Sequence, residues 1–262
     1  MRTSWLLLAA LLPLSGCAFL KSITGGGDAD SIVYGADADT NLKLGDEALD
    51  SKNFPEAQRY FEYVKTKYPY LEAAKIAELR LADTDYDRDR FLEARDRYAN
   101  FVRLHPTHAK VDYAAYRAAL THYKDIPSDF FLLPPASEKD QVEVRSALTA
   151  LTGFVRDYPD STWVAEANKT IADVKKRLAT HELYVADFYA VRNKWNAVVN
   201  RLNTVAREYA GIGYDDKVAF GLYDAYVALK DGEKAKDALR TYIARYPDTS
   251  EAKRAQRLLE KK

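Results

Sequence analysis

Residues 222–247 read LYDAYVALKDGEKAKDALRTYIARYP. With Pro247 numbered as position 32, Leu222-Tyr223 fall at positions 7 and 8, Ala235 at 20, Leu239 at 24 and Tyr242 at 27. Working outward, the same ending recurs as Lys67-Tyr68-Pro69, Leu104-His105-Pro106, Asp157-Tyr158-Pro159 and Glu208-Tyr209-Ala210. In one common phase, position 20 is Ala57, Ala94, Ala147, Val198 and Ala235. Position 24 is Phe61, Tyr98, Leu151, Leu202 and Leu239, and position 27 is Val64, Phe101, Phe154, Val205 and Tyr242. Leu44-Gly45, Leu81-Ala82 and Val185-Ala186 occupy positions 7 and 8 of their segments.

Small residues at 8 and 20 let the two helices of a hairpin approach, and the large residue at 24 fills the gap. The proline ends the second helix by removing a donor and clashing with the preceding turn. This pattern resembles the 34-residue tetratricopeptide repeat. It predicts an all-α, right-handed α-solenoid of about five helix hairpins, against the alternative of a generic antiparallel bundle. Repeats 1–3 cover 40–159, with an insertion at 125–139 (DIPSDFFLLPPASEK). Residues 160–262 hold repeats 4 and 5. Ser161–Arg192 contains no helix breaker and predicts one long helix with Ser161 as its N-cap. Ser250–Glu260 predicts an amphipathic capping helix with a polar outer face.

Composition agrees. The 262 residues carry 39 Lys+Arg against 39 Asp+Glu, which excludes a nucleic-acid binder working by bulk positive field. Hydrophobic residues at 47% suffice for a core, and 11 Gly with 9 Pro are few breakers. A single cysteine excludes an intrachain disulfide and a cysteine zinc cage.

That cysteine is placed suggestively. Residues 1–17, MRTSWLLLAALLPLSGC, have a cationic start and an apolar run too short to cross a bilayer as a helix. Leu14-Ser15-Gly16-Cys17 resembles a bacterial lipobox, the alternative being an ordinary signal peptide with a chance cysteine. The lipobox implies cleavage after residue 16 and a covalent N-acyl diacylglycerol on Cys17, whose several chains make a stable anchor. Ala18, where an aspartate would retain the protein at the inner membrane, implies the outer membrane. Residues 17–39, with Gly25-Gly26-Gly27, are expected to form a flexible tether.

Chemistry-bearing motifs are scarce. His105 and His108 lie on a helix-ending turn without a third ligand, and no nucleotide loop or serine-nucleophile motif occurs. Asp83, Asp85, Asp87 and Asp89 lack the glycine and closing glutamate of a calcium loop and read as a solvated turn. The chain is therefore expected to be no enzyme and to need no metal. Its surface is the functional object. Leu42, Leu49, Leu79, Tyr86, Tyr113, Tyr116 and Tyr123 fall on concave positions of helix A in repeats 1–3. They either line a groove for an extended peptide bearing an aromatic residue or pack internally, against Phe130-Phe131 or the next repeat.

Several segments go beyond the repeat pattern. Leu104-x-Pro106-Thr107-His108 with Asp112-Tyr113, Phe130-Phe131, Phe154-Val155-Arg156-x-Tyr158-Pro159-x-Ser161, 181–189 (HELYVADFY) and 195–201 (WNAVVNR) resemble the BamD family. The match runs in order from about 40 to 210. Leu132-Leu133-Pro134-Pro135 replaces an Asp/Arg-rich stretch usual in that family, and Ala210 replaces a proline.

The resemblance implies a lipoprotein scaffold of the outer-membrane β-barrel assembly (BAM) complex, on the inner leaflet and facing the periplasm of a Gram-negative bacterium. The N-terminal repeats would receive unfolded outer-membrane protein precursors. The C-terminal repeats would dock on a POTRA domain of the BamA-like barrel subunit through Arg201, with Asn200 and Trp195 beside it, and other BAM lipoproteins would join. Arg201 would pair with a POTRA carboxylate, so Arg201→Glu is expected to weaken that association without unfolding the repeats. The competing expectation is a tetratricopeptide lipoprotein coordinating cell-envelope or peptidoglycan machinery with other partners.

Overall fold

The computed structural model describes residues 32–126 and 140–260. Among these the chain forms eleven helices and no strand. Repeat 1 pairs α1 (Ala38–Asp50) with α2 (Phe54–Lys67), and repeat 2 pairs α3 (Glu72–Asp87) with α4 (Phe91–Leu104). Repeat 3 pairs α5 (Val111–Lys124) with α6 (Val142–Asp157), and repeat 4 pairs α7 (Val164–Ala190) with α8 (Trp195–Glu208). Repeat 5 pairs α9 (Asp215–Ala228) with α10 (Gly232–Arg245), and α11 (Ser250–Glu260) follows. Each helix packs on the next, with added contacts of α1 on α3 and α5 on α7. This is an all-α solenoid of five tetratricopeptide hairpins closed by an eleventh helix.

The repeat positions explain the packing. Every residue at positions 20, 24 and 27 is buried. Gly45 shows why position 8 must be small, because a Cβ there would lie 2.5 Å from Cε1 of Phe61. In repeat 5 the close approach has moved. Tyr223 at position 8 is half-buried, and Gly221 instead lies against Leu202 of the preceding repeat. The core is a series of clusters that straddle repeat boundaries. One joins α1, α2 and α3, another α3, α4 and α5, and the largest runs from α5 to α9. Burying a ring such as Phe61 contributes roughly 1.5–3 kcal/mol, and every repeat places one or more such groups.

Hairpin turns rest on a feature the sequence does not advertise. Lys52, Asp89, Asn193 and Lys230 all have φ between 55° and 63°. In each turn the next N–H donates back to a carbonyl five residues upstream, as from Asn53 to Ala48 and from Asp231 to Tyr226. These are Schellman closures with a non-glycine residue in the left-handed position. At the other end, Tyr68, His105, Tyr158 and Tyr246 leave helical geometry because proline follows. Tyr209 does the same before Ala210, so proline is not required there. Its buried ring and the positive-φ Gly211 and Gly213 accompany the break.

Four expectations change. Ser161 does not cap the long helix. It lies in the preceding turn, where its hydroxyl donates to Asp112 and accepts the Trp163 N–H, and α7 begins at Val164. The tether reading fails at its C-terminal end. The carbonyl of Val33 accepts from Tyr60, Tyr34 stacks on Tyr63 at 3.9 Å, and Asp37 caps α1 by accepting the Thr40 N–H. Asn41, fully buried, clasps both backbone groups of Gly35. The acidic run from Asp83 is not a solvated turn either, because Asp83 and Asp85 are buried within α3. Finally, Tyr116 is a core residue, stacked on Trp163 of the next repeat at 5.1 Å. Cys17, the signal segment and most of the insertion, with Phe130-Phe131, lie outside the described residues.

Candidate functional site

On the N-terminal half, α3 carries the organising charge. Asp83 Oδ1 accepts from the hydroxyls of Tyr98 at 2.6 Å and Tyr113 at 2.7 Å, while Oδ2 accepts from Arg80 at 3.1 Å. Arg80 also reaches Asp46 of α1 at 2.9 Å. Arg117 of α5 sits over the Tyr86 ring at 3.7 Å from its centroid, donates to the Tyr98 hydroxyl, and approaches Asp87. Burial, followed by the Asp83 charge, raises both tyrosine hydroxyls well above their ordinary pKa, so they stay protonated donors. Burial also raises the Asp46 carboxyl, although Arg80 opposes it.

The expected groove residues separate into two sets. Leu79 and Tyr116 are interior, which removes them from any open surface. Leu42, Tyr86, Tyr113 and Tyr123 are half-buried. Leu49 is buried in the repeat 1 core, yet its edge lines a cleft of about 470 Å³ with Phe54, Tyr86 and Phe91. Asp50, Asp87, Asp89, Lys52 and Lys124 complete the walls. Tyr86 and Leu49 therefore share one opening, whose walls mix apolar side chains with charges of both signs. Such a shape suits an extended chain with an aromatic or aliphatic side chain.

On the C-terminal half, Arg201 is not a free surface cation. It donates to Oε2 of Glu182 at 3.0 Å, and Arg145 of α6 donates to Oε1 at 3.3 Å. Glu182 is buried at mid-α7, while the Arg201 and Arg145 side chains are 41% and 50% exposed. Trp195, first residue of α8, is half-buried against the large core, and Asn200 is exposed. Sequence reasoning missed Glu182 and Arg145. The signal was a glutamate at position 4 of repeat 4, on the inner face of its helix.

A second opening escaped it too. Between α8, α9 and α10 lies a cavity of about 330 Å³ lined by Tyr209, Tyr214, Tyr226, Tyr242 and Tyr246, with Leu222 and Val218 also in its wall. At the end of α7, Phe188 and the C-cap Val191 are exposed, and Arg192 covers the Phe188 ring at 3.5 Å.

The two histidines flagged by the sequence take separate partners. His105 pairs with Glu78 at 2.9 Å and His108 with Glu72 at 2.5 Å. Among the described residues no three His, Cys, Asp or Glu side chains converge to hold a metal, and no helix is long and apolar enough to cross a membrane.

Comparison with known proteins matches this repeat array. The BamD of Vibrio cholerae is 27% identical over 199 residues, covering 75% of this chain and 82% of that protein. The BamD of Neisseria meningitidis serogroup B is 28% identical over 206 residues, covering 77% and 76%. Each is named an outer membrane protein assembly factor. Among solved structures, the TPR2AB domain of yeast Sti1 overlays with a TM-score of 0.44 at 11% identity, covering 82% of this chain and 80% of that one. The family model YfiO, described as an outer membrane lipoprotein, matches residues 37–240. That stretch runs from the cap of α1 into α10, and the chain belongs to this family of outer membrane lipoproteins.

Proposed function

We propose that this chain is a non-catalytic scaffold of the outer-membrane β-barrel assembly machinery. The observation that carries the reading is the family match over 37–240, which takes in nearly the whole repeat array. Its relatives bear the name of assembly factors for outer membrane proteins. Cys17, acylated in the mature chain, anchors it to the inner leaflet of the outer membrane, facing the periplasm. It needs no other cofactor.

In this reading the C-terminal repeats dock on a POTRA domain of the BamA-like subunit through Arg201, Asn200 and Trp195, and other lipoproteins of the complex join. Arg201 suits the role because its planar fork has more donors than Glu182 consumes. The N-terminal cleft at Leu49 and Tyr86, together with the half-buried Leu42 of α1 and Tyr113 and Tyr123 of α5, receives unfolded barrel precursors. The supporting feature is a cleft whose walls combine Leu49, Phe54, Tyr86 and Phe91 with charges of both signs.

The test is affinity purification of the full-length tagged chain from detergent-solubilised outer membranes, with partners identified by mass spectrometry. A large β-barrel protein with POTRA domains is the expected partner. Recovery of peptidoglycan enzymes or Tol proteins in its place would replace the reading with an envelope-coordinating one. Labelled palmitate should enter the wild-type chain and not Cys17→Ala.

A further inference from the structure

We infer that Arg145 of α6 is the second half of the docking site around Arg201, and that Glu182 holds the two arginines as one carboxylate-binding pair. The inference rests on the docking role proposed above for α8. It adds a residue outside the motif that suggested that role, contributed by a different repeat.

The geometry begins with Glu182. It sits on α7, the helix that packs against α6 on one side and α8 on the other. Its carboxylate is nearly inaccessible, yet each oxygen is taken by a guanidinium from opposite flanks, Arg145 at 3.3 Å and Arg201 at 3.0 Å. Two guanidinium groups this close would repel in the absence of the carboxylate. With it, one negative charge stands against two positive ones, so the cluster keeps a net positive charge at the surface. The buried Tyr209, which caps α8, lies close enough to Arg145 to feel its charge.

Neither arginine is used up. Each guanidinium has five N–H donors in a fixed plane, and roughly half of each side chain faces solvent. Glu182 therefore restrains two long side chains before any partner arrives, which lowers the ordering cost of binding. The surface it presents is two adjacent, partly immobilised cationic forks. The partner chemistry that fits is a pair of neighbouring carboxylates, or one carboxylate bridging both forks. A neutral or basic surface is disfavoured, because the leftover positive charge would then be desolvated without compensation.

The test uses the full-length chain in detergent and the purified POTRA region of the barrel subunit. Arg145→Gln and Arg201→Gln are each expected to weaken binding by about tenfold, and the double variant by less than the product of the two, because both act through Glu182. The affinity of the wild type should also fall more steeply with added salt than that of either variant. Should Arg145→Gln lower the melting temperature, Arg145→Lys serves instead. It keeps the charge on Glu182 and loses the planar fork, and a loss of threefold or more is expected. Wild-type affinity in both Arg145 variants, with Arg201→Gln weakened, overturns the pair and leaves the docking reading standing. Wild-type affinity in all three variants overturns the docking reading itself.

Discussion

The hydroxyl of Tyr113, on α5, donates to the buried carboxylate of Asp83, on α3, across a separation of 30 residues and one repeat boundary. Tyr98 of α4 donates to the same oxygen, so one carboxylate ties three consecutive helices. Asp83→Ala leaves two buried hydroxyls and the Arg80 guanidinium without their shared acceptor. A loss of about 2–4 kcal/mol is expected, a fall in melting temperature of roughly 5–15 °C. Asp83→Asn keeps an acceptor and should fall by less. Thermal unfolding followed by circular dichroism reads both.

Gly45 and Gly153 make a matched pair. Both lie inside helices, where alanine is the better former by about 1 kcal/mol. A Cβ at Gly153 meets nothing within 4 Å, whereas at Gly45 it would strike the buried Phe61 ring. Gly153→Ala should therefore stabilise by about 0.5–1 kcal/mol and Gly45→Ala should destabilise by roughly 1–2 kcal/mol. Equal signs in chemical denaturation would contradict the packing described for position 8.

His122 gives a pH dependence with a defined sign. Burial first, and then the Arg95 guanidinium donating to its ring at 2.6 Å, lower its pKa from the ordinary 6.5. The folded chain thus holds it neutral where the unfolded chain would already bind a proton. Its contribution is fully present above pH 6.5 and is lost as pH falls below that value. From pH 7.5 to about pH 5.5 the wild type should lose more melting temperature than His122→Asn does, since the other titrating groups are common to both.

Arg201→Glu should not be the benign surface change that the sequence alone suggests. It sets a second carboxylate against Glu182, which is buried and has only Arg145 left. A destabilisation of about 1–3 kcal/mol is expected, solvent screening of the half-exposed site holding it below the cost of breaking a fully buried pair, with Arg201→Lys milder. Any loss of partner binding in Arg201→Glu has to be read beside its melting curve.

The hairpins were legible because their determinants are local and periodic. A small residue at position 20 (alanine in four repeats, Val198 in the other) and a large residue at 24 recur in one phase, and all of them are buried. The turns were less so. A left-handed residue usually signals itself as glycine, but Lys52, Asp89, Asn193 and Lys230 occupy that geometry here, held by the Schellman bond. Charge was the least legible. Asp83 and Glu182 look like two of many acids in a chain with 30% charged residues, and only the fold shows them buried with specific donors. The aromatic positions misled in the same way. Tyr116 has the spacing of a groove residue but meets Trp163, which is 47 residues away in sequence and adjacent in space.

Helix α7 runs 27 residues without a glycine or proline, about 40 Å of unbroken rod. It packs against α6 on one side and α8 on the other. One continuous rod therefore serves both repeat 3 and repeat 4, and its Glu182 is shared by a guanidinium from each. Tilting that rod must carry α6 and α8 along together, as in a lever.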